Sequence, residues 1–298
     1  MRAPDPPLLS AADPSLAEAL RGAVERLAAA HVPDPEVDAQ LLAAHVLGTS
    51  RGGVQAGAIR GDALSLPHAE AYGRVIDRRA AREPLQHITG LAPFRQLVLR
   101  VGPGAFVPRP ETEMVAQLAI DTLAASPSPA PTAVDLGTGT GALALALATE
   151  VPHARVVGVE RAVEAFIWAR ENAAHLGVEN VRFVFIDLAD ALPEMDGSVD
   201  VVVSNPPYVP DDAVPRDPEV RLFDPPGALY GGADGLDVVR AVSRTARRLL
   251  RSGGTVVIEH GEWQGGAVRE LLAGDGWRAA ATHRDLTMRD RATTAVAP

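Results

Sequence analysis

The chain has 298 residues, of which 47% are hydrophobic and 22% are charged. This length and composition suit one large or two modest domains with a substantial core, and they exclude an intrinsically disordered chain. The 38 acidic and 28 basic residues give a net charge of −10, which disfavours a protein that depends on non-specific contacts with nucleic-acid phosphates. Because the chain has no cysteine, it can form neither a disulfide framework nor a thiolate metal site.

The N-terminal sequence and the hydropathy indicate a cytoplasmic protein. Residues 1–20 lack the basic and then apolar pattern of a signal peptide, and no apolar run approaches the length needed to span a membrane. The eight histidines show no metal-ligand spacing. We therefore expect neither a membrane partner nor a metal site.

Apolar residues recur at helical spacing over the first part of the chain. Leu16, Leu20, Val24 and Leu27 form one such series, and further series follow. Asp and Ser residues stand just ahead of these segments, and prolines lie where a first helical turn tolerates them. The pattern predicts an N-terminal helical bundle over residues 1–83.

The composition changes to Gly, Pro and β-forming residues over 84–110, which we interpret as a hairpin linker. Leu91 to Phe94 and Leu97 to Val101 are its expected strands. From residue 111 to 298, after a first helix, Val-rich runs alternate with helical segments. This alternation indicates an α/β fold built from parallel βαβ units, whose strands are covered by helices on both faces.

A glycine-rich loop follows the first strand of this region and leads directly into a helix. Glycine allows such a tight reversal and lets the backbone approach a ligand closely. The loop is therefore predicted to bind a cofactor through Asp135, Gly137, Thr138, Gly139, Thr140 and Gly141. Because it also satisfies the Gly-x-Gly-x-x-Ala variant of the dinucleotide fingerprint, the loop alone is compatible with a nicotinamide cofactor or with S-adenosylmethionine.

Two acids stand at the ends of the next two strands. Glu160 follows Gly141 by nineteen residues, and its two oxygens suit the two hydroxyl groups of an adenosine ribose. Asp187 ends the third strand, where a carboxylate can accept from the exocyclic amine of adenine. We predict that both acids bind the cofactor, with a solvated strand end as the alternative for Asp187.

The fourth strand ends in the tetrapeptide Asn205-Pro206-Pro207-Tyr208. Two consecutive prolines remove two backbone donors and stiffen the segment at the carboxyl edge of the sheet, where ligands of open α/β folds bind. The side-chain oxygen of Asn205 and the backbone carbonyl of Pro206 can each accept one proton of a planar NH₂ group. Tyr208 supplies an aromatic wall. This segment is the predicted substrate site, with Asn205, Pro206 and Tyr208 as its catalytic residues.

These motifs together resemble the HemK or PrmC family, the protein-(glutamine-N5) methyltransferases of peptide chain release factors. The matching stretches include PDPEVDAQLLAAHVLG, RRAAREPLQHITG, FVPRPETE, DLGTGTGALALALA, VSNPPYVP, FDPPGALYGGADGLDVVR, EHG and RDLTMRDR. The resemblance implies a class I, Rossmann-like sheet of seven strands, whose last strand, near Ala292 to Val296, is antiparallel. It implies S-adenosylmethionine as methyl donor and the Gln of a release factor's Gly-Gly-Gln loop as acceptor, with the enzyme a monomer.

The resemblance also assigns Leu188 and Asn205 to the cofactor site. Leu188 occupies a position where some members carry an aromatic residue, and Glu160 stands where the family usually has Asp. The FVPRPETE segment, with Arg109 and Glu111 to Glu113, is expected either to cover the cofactor or simply to cap a helix start. None of these departures touches the tetrapeptide.

A non-catalytic binding module that retains the fold is disfavoured, because the loop, the acid and the tetrapeptide are all intact, and two other functions remain compatible with parts of the pattern. An amino-methyltransferase acting on adenine N6 or another NH₂ group in nucleic acid would share the tetrapeptide, but it needs a basic cleft. Residues 1–90 contain 9 Arg and 11 acids, for −2, and the remainder contains 19 Arg and 27 acids, for −8. A nicotinamide-dependent oxidoreductase is permitted by the loop and Glu160, but it leaves the two prolines unexplained. We therefore expect no direct nucleic-acid binding.

Overall fold

The computed structural model describes residues 13–298. The first twelve residues of the predicted bundle, which are also part of the segment searched for a signal peptide, lie outside the described residues. The chain divides into two compact units, one ending at Thr89 and the other running from Gly90 to Pro298. The hairpin expected within the linker therefore belongs to the second unit. Within the described part of the chain, no helix combines the length and apolar character needed to cross a bilayer.

The first unit is helical, as the apolar spacing predicts. Its helices are α1 (Leu16–Ala29), α2 (Pro35–Leu47), α3 (Arg51–Arg60), α4 (Leu66–Ala80) and α5 (Leu85–Thr89). At the start of α1, the Ser15 hydroxyl accepts from the backbone N–H of Glu18, whose carboxylate accepts in return from the Ser15 N–H. Leu27 and Leu42 are fully buried between the helices, so the predicted apolar stripes form the core.

The second unit begins with a two-stranded hairpin and continues as an α/β domain. Its elements are β1 (Leu91–Phe94), β2 (Leu97–Arg100), α6 (Thr112–Ala124), β3 (Thr132–Leu136), α7 (Ala142–Glu150), β4 (Arg155–Glu160), α8 (Val163–Leu176), β5 (Val181–Phe185), β6 (Val199–Ser204), α9 (Pro218–Phe223), α10 (Asp237–Leu249), β7 (Leu250–Glu259), α11 (Gly265–Gly274), β8 (Arg278–Arg284) and β9 (Asp290–Val296). The predicted alternation of strands and helices is confirmed.

Seven strands form one sheet in the order β5-β4-β3-β6-β7-β9-β8. The first five are parallel, and β9 runs antiparallel to both of its neighbours, β7 and β8. The expected seven-stranded sheet with an antiparallel last strand is thus confirmed. In the register, Asp135 of β3 lies beside Gly158 of β4 and Val203 of β6, so the carboxyl ends of these three strands meet at one edge.

Several element boundaries differ from the sequence pattern. The strand expected at Thr255 to Glu259 begins at Leu250, because the Ser-Gly-Gly stretch that suggests a break is accommodated as an irregularity in the pairing with β6, with Gly253 at a φ of 78°. The second hairpin strand ends at Arg100, one residue earlier than expected. The short helix α9 has no apolar period long enough to be recognised.

Candidate functional site

A cavity of about 640 Å³ lies at the carboxyl edge of β3, β4 and β6. It belongs entirely to the second unit. The predicted site residues that line it are Gly137, Thr138, Gly139, Thr140, Glu160, Asp187, Leu188, Asn205, Pro206, Pro207 and Tyr208. Asp135 and Gly141 stand behind this lining. The sheet therefore brings together residues from four separate stretches of the chain, which follow or end β3, β4, β5 and β6.

The glycine loop forms one wall of the cavity. Gly137, Gly139 and Gly141 have φ values of 77°, 57° and 86°. Residues with a Cβ rarely adopt this left-handed backbone conformation. A Cβ built on Gly137 or Gly139 would meet no atom within 4 Å. Open space in front of exposed backbone at a strand-to-helix turn fits the close approach of a nucleotide-type cofactor.

Asp135 supports this loop from below. Its Oδ2 accepts from the Thr138 hydroxyl at 2.5 Å and from the backbone N–H of Ala144 at 3.1 Å. Its Oδ1 is buried and has no hydrogen-bond partner among the described residues. Burial raises the pKa of Asp135 to about 7, although both hydrogen bonds lower it. Asp135 therefore fixes the loop conformation and does not itself face the cavity.

Glu160 connects the loop to the next helix. Its Oε2 accepts from the backbone N–H of Gly139 at 2.9 Å, and its Oε1 accepts from the N–H groups of Arg161 and Ala162, each at 2.8 Å. The carboxylate therefore lies at the start of α8, where helix N–H groups favour a negative charge. It lines the cavity at the position from which a ribose could be reached.

Asp187 and Leu188 form the next part of the wall. The Oδ1 of Asp187 accepts from the Ala189 N–H at 3.0 Å, and its Oδ2 pairs with Arg161 at 3.0 Å. The Ala189 hydrogen bond, aided by Arg161, lowers the pKa of Asp187 below its usual range. The Leu188 side chain is partly buried and packs against the hydrophobic core on one face of the sheet. Asp187 and Leu188 therefore place a charged side chain next to an apolar one at this end of the cavity.

The tetrapeptide lies across the cavity from α8 and is fixed to the neighbouring strand. The Ser204 hydroxyl donates to the Leu136 carbonyl oxygen at 2.6 Å, which joins the ends of β6 and β3 inside the core. The side-chain amide of Asn205 donates through Nδ2 to the Thr112 hydroxyl oxygen at 3.2 Å. With Nδ2 occupied in this way, Oδ1 is the end of the Asn205 side chain available to accept from a substrate.

Buried polar side chains lie behind the tetrapeptide. The Tyr208 hydroxyl donates to Oε1 of Glu259 at 3.5 Å, and Arg291 donates to the Tyr208 hydroxyl at 3.5 Å. Burial raises the pKa of Glu259 to about 7, and it also raises the pKa of Tyr208. Glu259 and Arg291 are buried, whereas Tyr208 is partly buried and lines the cavity, so the hydrogen bond at Glu259 forms away from bulk water and is strengthened there.

A partly buried ion pair joins two further stretches beside the cavity. Arg109 donates to Oδ2 of Asp224 at 2.6 Å, and the Asp224 side chain has no exposed surface. The Arg109 guanidinium also lies 4.8 Å from the centre of the Phe106 ring. This pair holds the segment that precedes α6 against the segment that follows α9, and both segments contribute to the cavity lining.

Sequence reasoning did not identify Glu259, Arg291 or the pairing of Arg109 with Asp224 as parts of the site. It expected the FVPRPETE segment, which includes Thr112, either to cover the cofactor or to cap a helix start; in the structure Thr112 is buried with its hydroxyl against Asn205. The FDPP, EHG and RDLTMRDR stretches carried the signal as motifs without an assigned role. Within residues 13–298, no group of three or more His, Cys, Asp or Glu side chains is placed to hold a metal ion.

The fold and the site together define an α/β methyltransferase domain. Residues 128–289 match the methyltransferase domain family, and residues 18–90 match the PrmC N-terminal domain family. A T. thermophilus 16S rRNA N2 methyltransferase, solved with AdoMet and guanosine, superposes with a TM-score of 0.52 at 22% identity. The superposition covers 70% of this chain and 50% of that one, and at this identity it shows the shared fold alone.

Curated relatives extend the match to nearly the whole chain. The release factor glutamine methyltransferase of Streptomyces coelicolor is 48% identical over 278 residues, which is 92% of this chain and 95% of the relative. The chain belongs to the release factor glutamine methyltransferase family. A 4-amino-L-phenylalanine/4-methylamino-L-phenylalanine methyltransferase of Streptomyces pristinaespiralis is also similar, at 39% identity over 97% of each chain.

Proposed function

We propose that this chain transfers a methyl group from S-adenosylmethionine to the side-chain amide nitrogen of the Gln in the Gly-Gly-Gln loop of a peptide chain release factor. The observation that carries the proposal is that the tetrapeptide from Asn205 to Tyr208 lines the same cavity as the glycine loop. A planar NH₂ group and a methyl donor can therefore occupy one cavity. The similarity of almost the full chain to release factor glutamine methyltransferases supports the choice of acceptor.

The cofactor site proposed here is the wall from the glycine loop to Leu188. The backbone of Gly137 to Gly141 would surround the methionine and ribose portions, Glu160 would accept from the ribose hydroxyls, and Asp187 with Leu188 would flank the adenine. Asn205 would contact both the cofactor and the substrate. When bound, S-adenosylmethionine supplies an electrophilic sulfonium methyl group.

The chain's own residues must overcome the weak nucleophilicity of an amide nitrogen. Its lone pair is delocalised into the carbonyl, so holding the NH₂ group at a fixed position and orientation provides much of the acceleration. Oδ1 of Asn205 and the carbonyl oxygen of Pro206 would each accept one N–H proton. These hydrogen bonds strengthen as the nitrogen becomes positive, so they favour the transition state over the ground state.

Proton removal does not need a dedicated base in this arrangement. The N-methylated, positively charged amide is strongly acidic and loses its extra proton to water. Tyr208 and Pro207 would wall off the opposite side of the acceptor, with Tyr208 held by its hydroxyl contacts to Glu259 and Arg291. The site would therefore act mainly through position and hydrogen-bond acceptance.

The proposal includes the cellular setting. A release factor as substrate is consistent with a cytoplasmic monomer that binds neither membrane nor nucleic acid directly. The −8 charge of residues 91–298 favours a protein loop over a phosphate-bearing base as acceptor.

Methyl transfer to a purified release factor from labelled S-adenosylmethionine tests the proposal. Asn205→Ala is expected to lower kcat by about 100-fold or more, because one of two transition-state acceptors is lost, while calorimetry finds cofactor affinity largely preserved. Near-normal turnover by this variant would contradict the role of Asn205. Parallel reactions with 4-amino-L-phenylalanine and with duplex DNA and RNA distinguish the other amino acceptors, and preferential methylation of any of these would contradict the proposed substrate.

A further inference from the structure

The side chain of Asn172, on α8, joins the glycine loop to the hairpin. Its Nδ2 donates to the carbonyl oxygen of Thr140 in the loop and to that of Arg100 at the end of β2, both at 3.0 Å. Its Oδ1 accepts from the N–H of Arg100 at 2.7 Å. Asn172 is 0% exposed, and burial of an amide is costly unless its donors and its acceptor are paired. Both N–H protons and the oxygen are paired here, so the orientation of the Asn172 amide is fixed.

The hydrogen bond to Thr140 holds one peptide group of the glycine loop. The carbonyl oxygen of the peptide that joins Thr140 to Gly141 accepts from Asn172, and its N–H donates to the Thr138 carbonyl oxygen at 2.9 Å. Because glycine reaches many other backbone conformations at little cost, this peptide can rotate once either bond is lost. Thr140 lines the cavity. Rotation of this peptide would therefore change the backbone surface that a cofactor meets.

The same face of α8 holds the segment that follows β2. Residues four apart on a helix lie one above the other, so Glu164, Trp168 and Asn172 form a row. The indole Nε1 of Trp168 donates to the Pro103 carbonyl oxygen at 3.4 Å, and a Cβ built on Gly104 would lie 2.7 Å from the Cβ of Glu164. Gly104 lines the cavity. Asn172 therefore lies where the glycine loop and another segment of the cavity wall both pack against α8.

We propose that Asn172 is a positioning residue whose amide, through the Thr140 carbonyl, holds the glycine loop in the conformation that binds S-adenosylmethionine. This role rests on the proposed function for the identity of the ligand. Asn172 is not among the residues that line the cavity, so it acts on the cofactor only through the loop. Without Nδ2 of Asn172, the buried Thr140 carbonyl oxygen lacks its donor in the binding conformation, which then becomes less favourable than rotated ones.

The affinity of Asn172→Ala for S-adenosylmethionine tests this role. Because the variant lacks the hydrogen bond to Thr140, part of the binding free energy must restore the loop conformation. We expect calorimetry to find the affinity lowered by about 10-fold or more, and kcat for release-factor methylation at saturating cofactor to stay close to that of the wild type. Asn172→Asp keeps the shape and the acceptor for Arg100 but replaces Nδ2 by an oxygen, so it should bind no more tightly than Asn172→Ala.

Asn180→Ala is the matched control for simple loss of stability. Nδ2 of Asn180 donates to the carbonyl oxygens of Ala148 and Ala154 at 2.9 and 3.1 Å, where α7 ends and β4 begins. This turn lies at the amino end of the parallel strands, opposite the cavity. Chemical denaturation should show both alanine variants to be destabilised, but Asn180→Ala should bind S-adenosylmethionine as the wild type does. Equal losses of affinity in the two variants, or wild-type affinity in Asn172→Ala, would overturn the inference.

A measurement on the wild-type protein tests the role of Asn172 separately from the proposed acceptor, which is refuted if the release factor is not methylated. The chain has three asparagines, at positions 172, 180 and 205, so selective ¹⁵N-asparagine labelling resolves their side-chain amides, assigned with the Asn180→Ala and Asn205→Ala variants. If the bond to Thr140 stabilises the binding conformation, cofactor binding must in turn stabilise that bond. Saturation with S-adenosylmethionine should therefore slow hydrogen exchange of the Asn172 side-chain amide by about 10-fold and leave that of Asn180 unchanged. Unchanged exchange at Asn172 would overturn the inference.

Discussion

At the scale of single residues, the site combines carboxylates that differ in their surroundings. Glu160 accepts three backbone hydrogen bonds at a loop and a helix start, whereas Asp135 and Glu259 are buried with few partners. Glu160 therefore lines the cavity with both of its oxygens hydrogen-bonded to backbone N–H groups. Asp135 supports the backbone of the glycine loop, and Glu259 supports the Tyr208 side chain. Both carboxylates lie behind the walls of the cavity.

Replacing Glu160 by Gln is expected to weaken S-adenosylmethionine binding by about 10- to 100-fold. The amide nitrogen would face the N–H groups of Gly139, Arg161 or Ala162, so at least one of these hydrogen bonds is lost and the loop shifts. Isothermal titration calorimetry measures the change. Glu160→Asp, which keeps the carboxylate usual in the family, is the matched control and should bind more tightly than Glu160→Gln. Equal affinity of wild type and Glu160→Gln would refute the assignment.

The raised pKa of Asp135 predicts that the stability of the chain depends on pH. Burial raises its pKa from 3.8 to about 7 in the folded chain, so the folded state retains a proton that the unfolded state has already released. The contribution of Asp135 to the free energy of unfolding is therefore full below about pH 4 and is lost as the pH rises to about 7. Thermal unfolding at about pH 5 and about pH 8 should show a smaller loss of Tm in Asp135→Asn than in the wild type. An equal loss of Tm between the two pH values in Asp135→Asn and in the wild type would contradict the prediction.

At the scale of elements, the tetrapeptide is positioned by backbone packed against backbone. The segment before α10 passes so close to it that a Cβ on Gly235 would lie 2.3 Å from the Tyr208 carbonyl oxygen. Gly235 also has a φ of 73°, which favours glycine. Gln264 donates to the same carbonyl at 3.0 Å, so two elements fix the end of the tetrapeptide.

Gly235→Ala is therefore expected to lower the free energy of unfolding by about 1–3 kcal/mol, because it adds strain and a steric clash. It should also lower kcat, since Tyr208 must move. Gly266→Ala is the matched control: a Cβ at this position in α11 meets no atom within 4 Å, and alanine favours a helix by about 0.5–1 kcal/mol. Chemical denaturation gives both free energies. A Gly235→Ala protein as stable as the wild type would contradict the packing argument.

Sequence patterns predicted the elements better than the contacts between them. The Val-rich runs of β3, β4 and β6 are recognisable because both faces of a central parallel strand are buried. In contrast, α3 contains three glycines among its ten residues and has little apolar period. The contact between Thr112 and Asn205 joins residues 93 positions apart, and only the folded sheet brings them together.

At the scale of the whole molecule, the glycine loop and the tetrapeptide could be predicted as one site because each follows the carboxyl end of a parallel strand. The buried support behind them could not be predicted, because it depends on how α6, β7 and β9 pack around the end of β6. The acidic charge of the second unit and the relationship to release factor glutamine methyltransferases both favour a protein acceptor. A relative that acts, by its name, on 4-amino-L-phenylalanine shows that the acceptor must be tested directly.

The most direct test maps the methyl group. A release factor incubated with the enzyme and S-adenosylmethionine is digested, and tandem mass spectrometry locates the modification. We predict a single methyl group on the side chain of the Gln in the Gly-Gly-Gln loop, and no product from a factor in which that Gln is replaced by Ala. Methylation at another residue, or undiminished methylation of the substituted factor, would contradict the central claim.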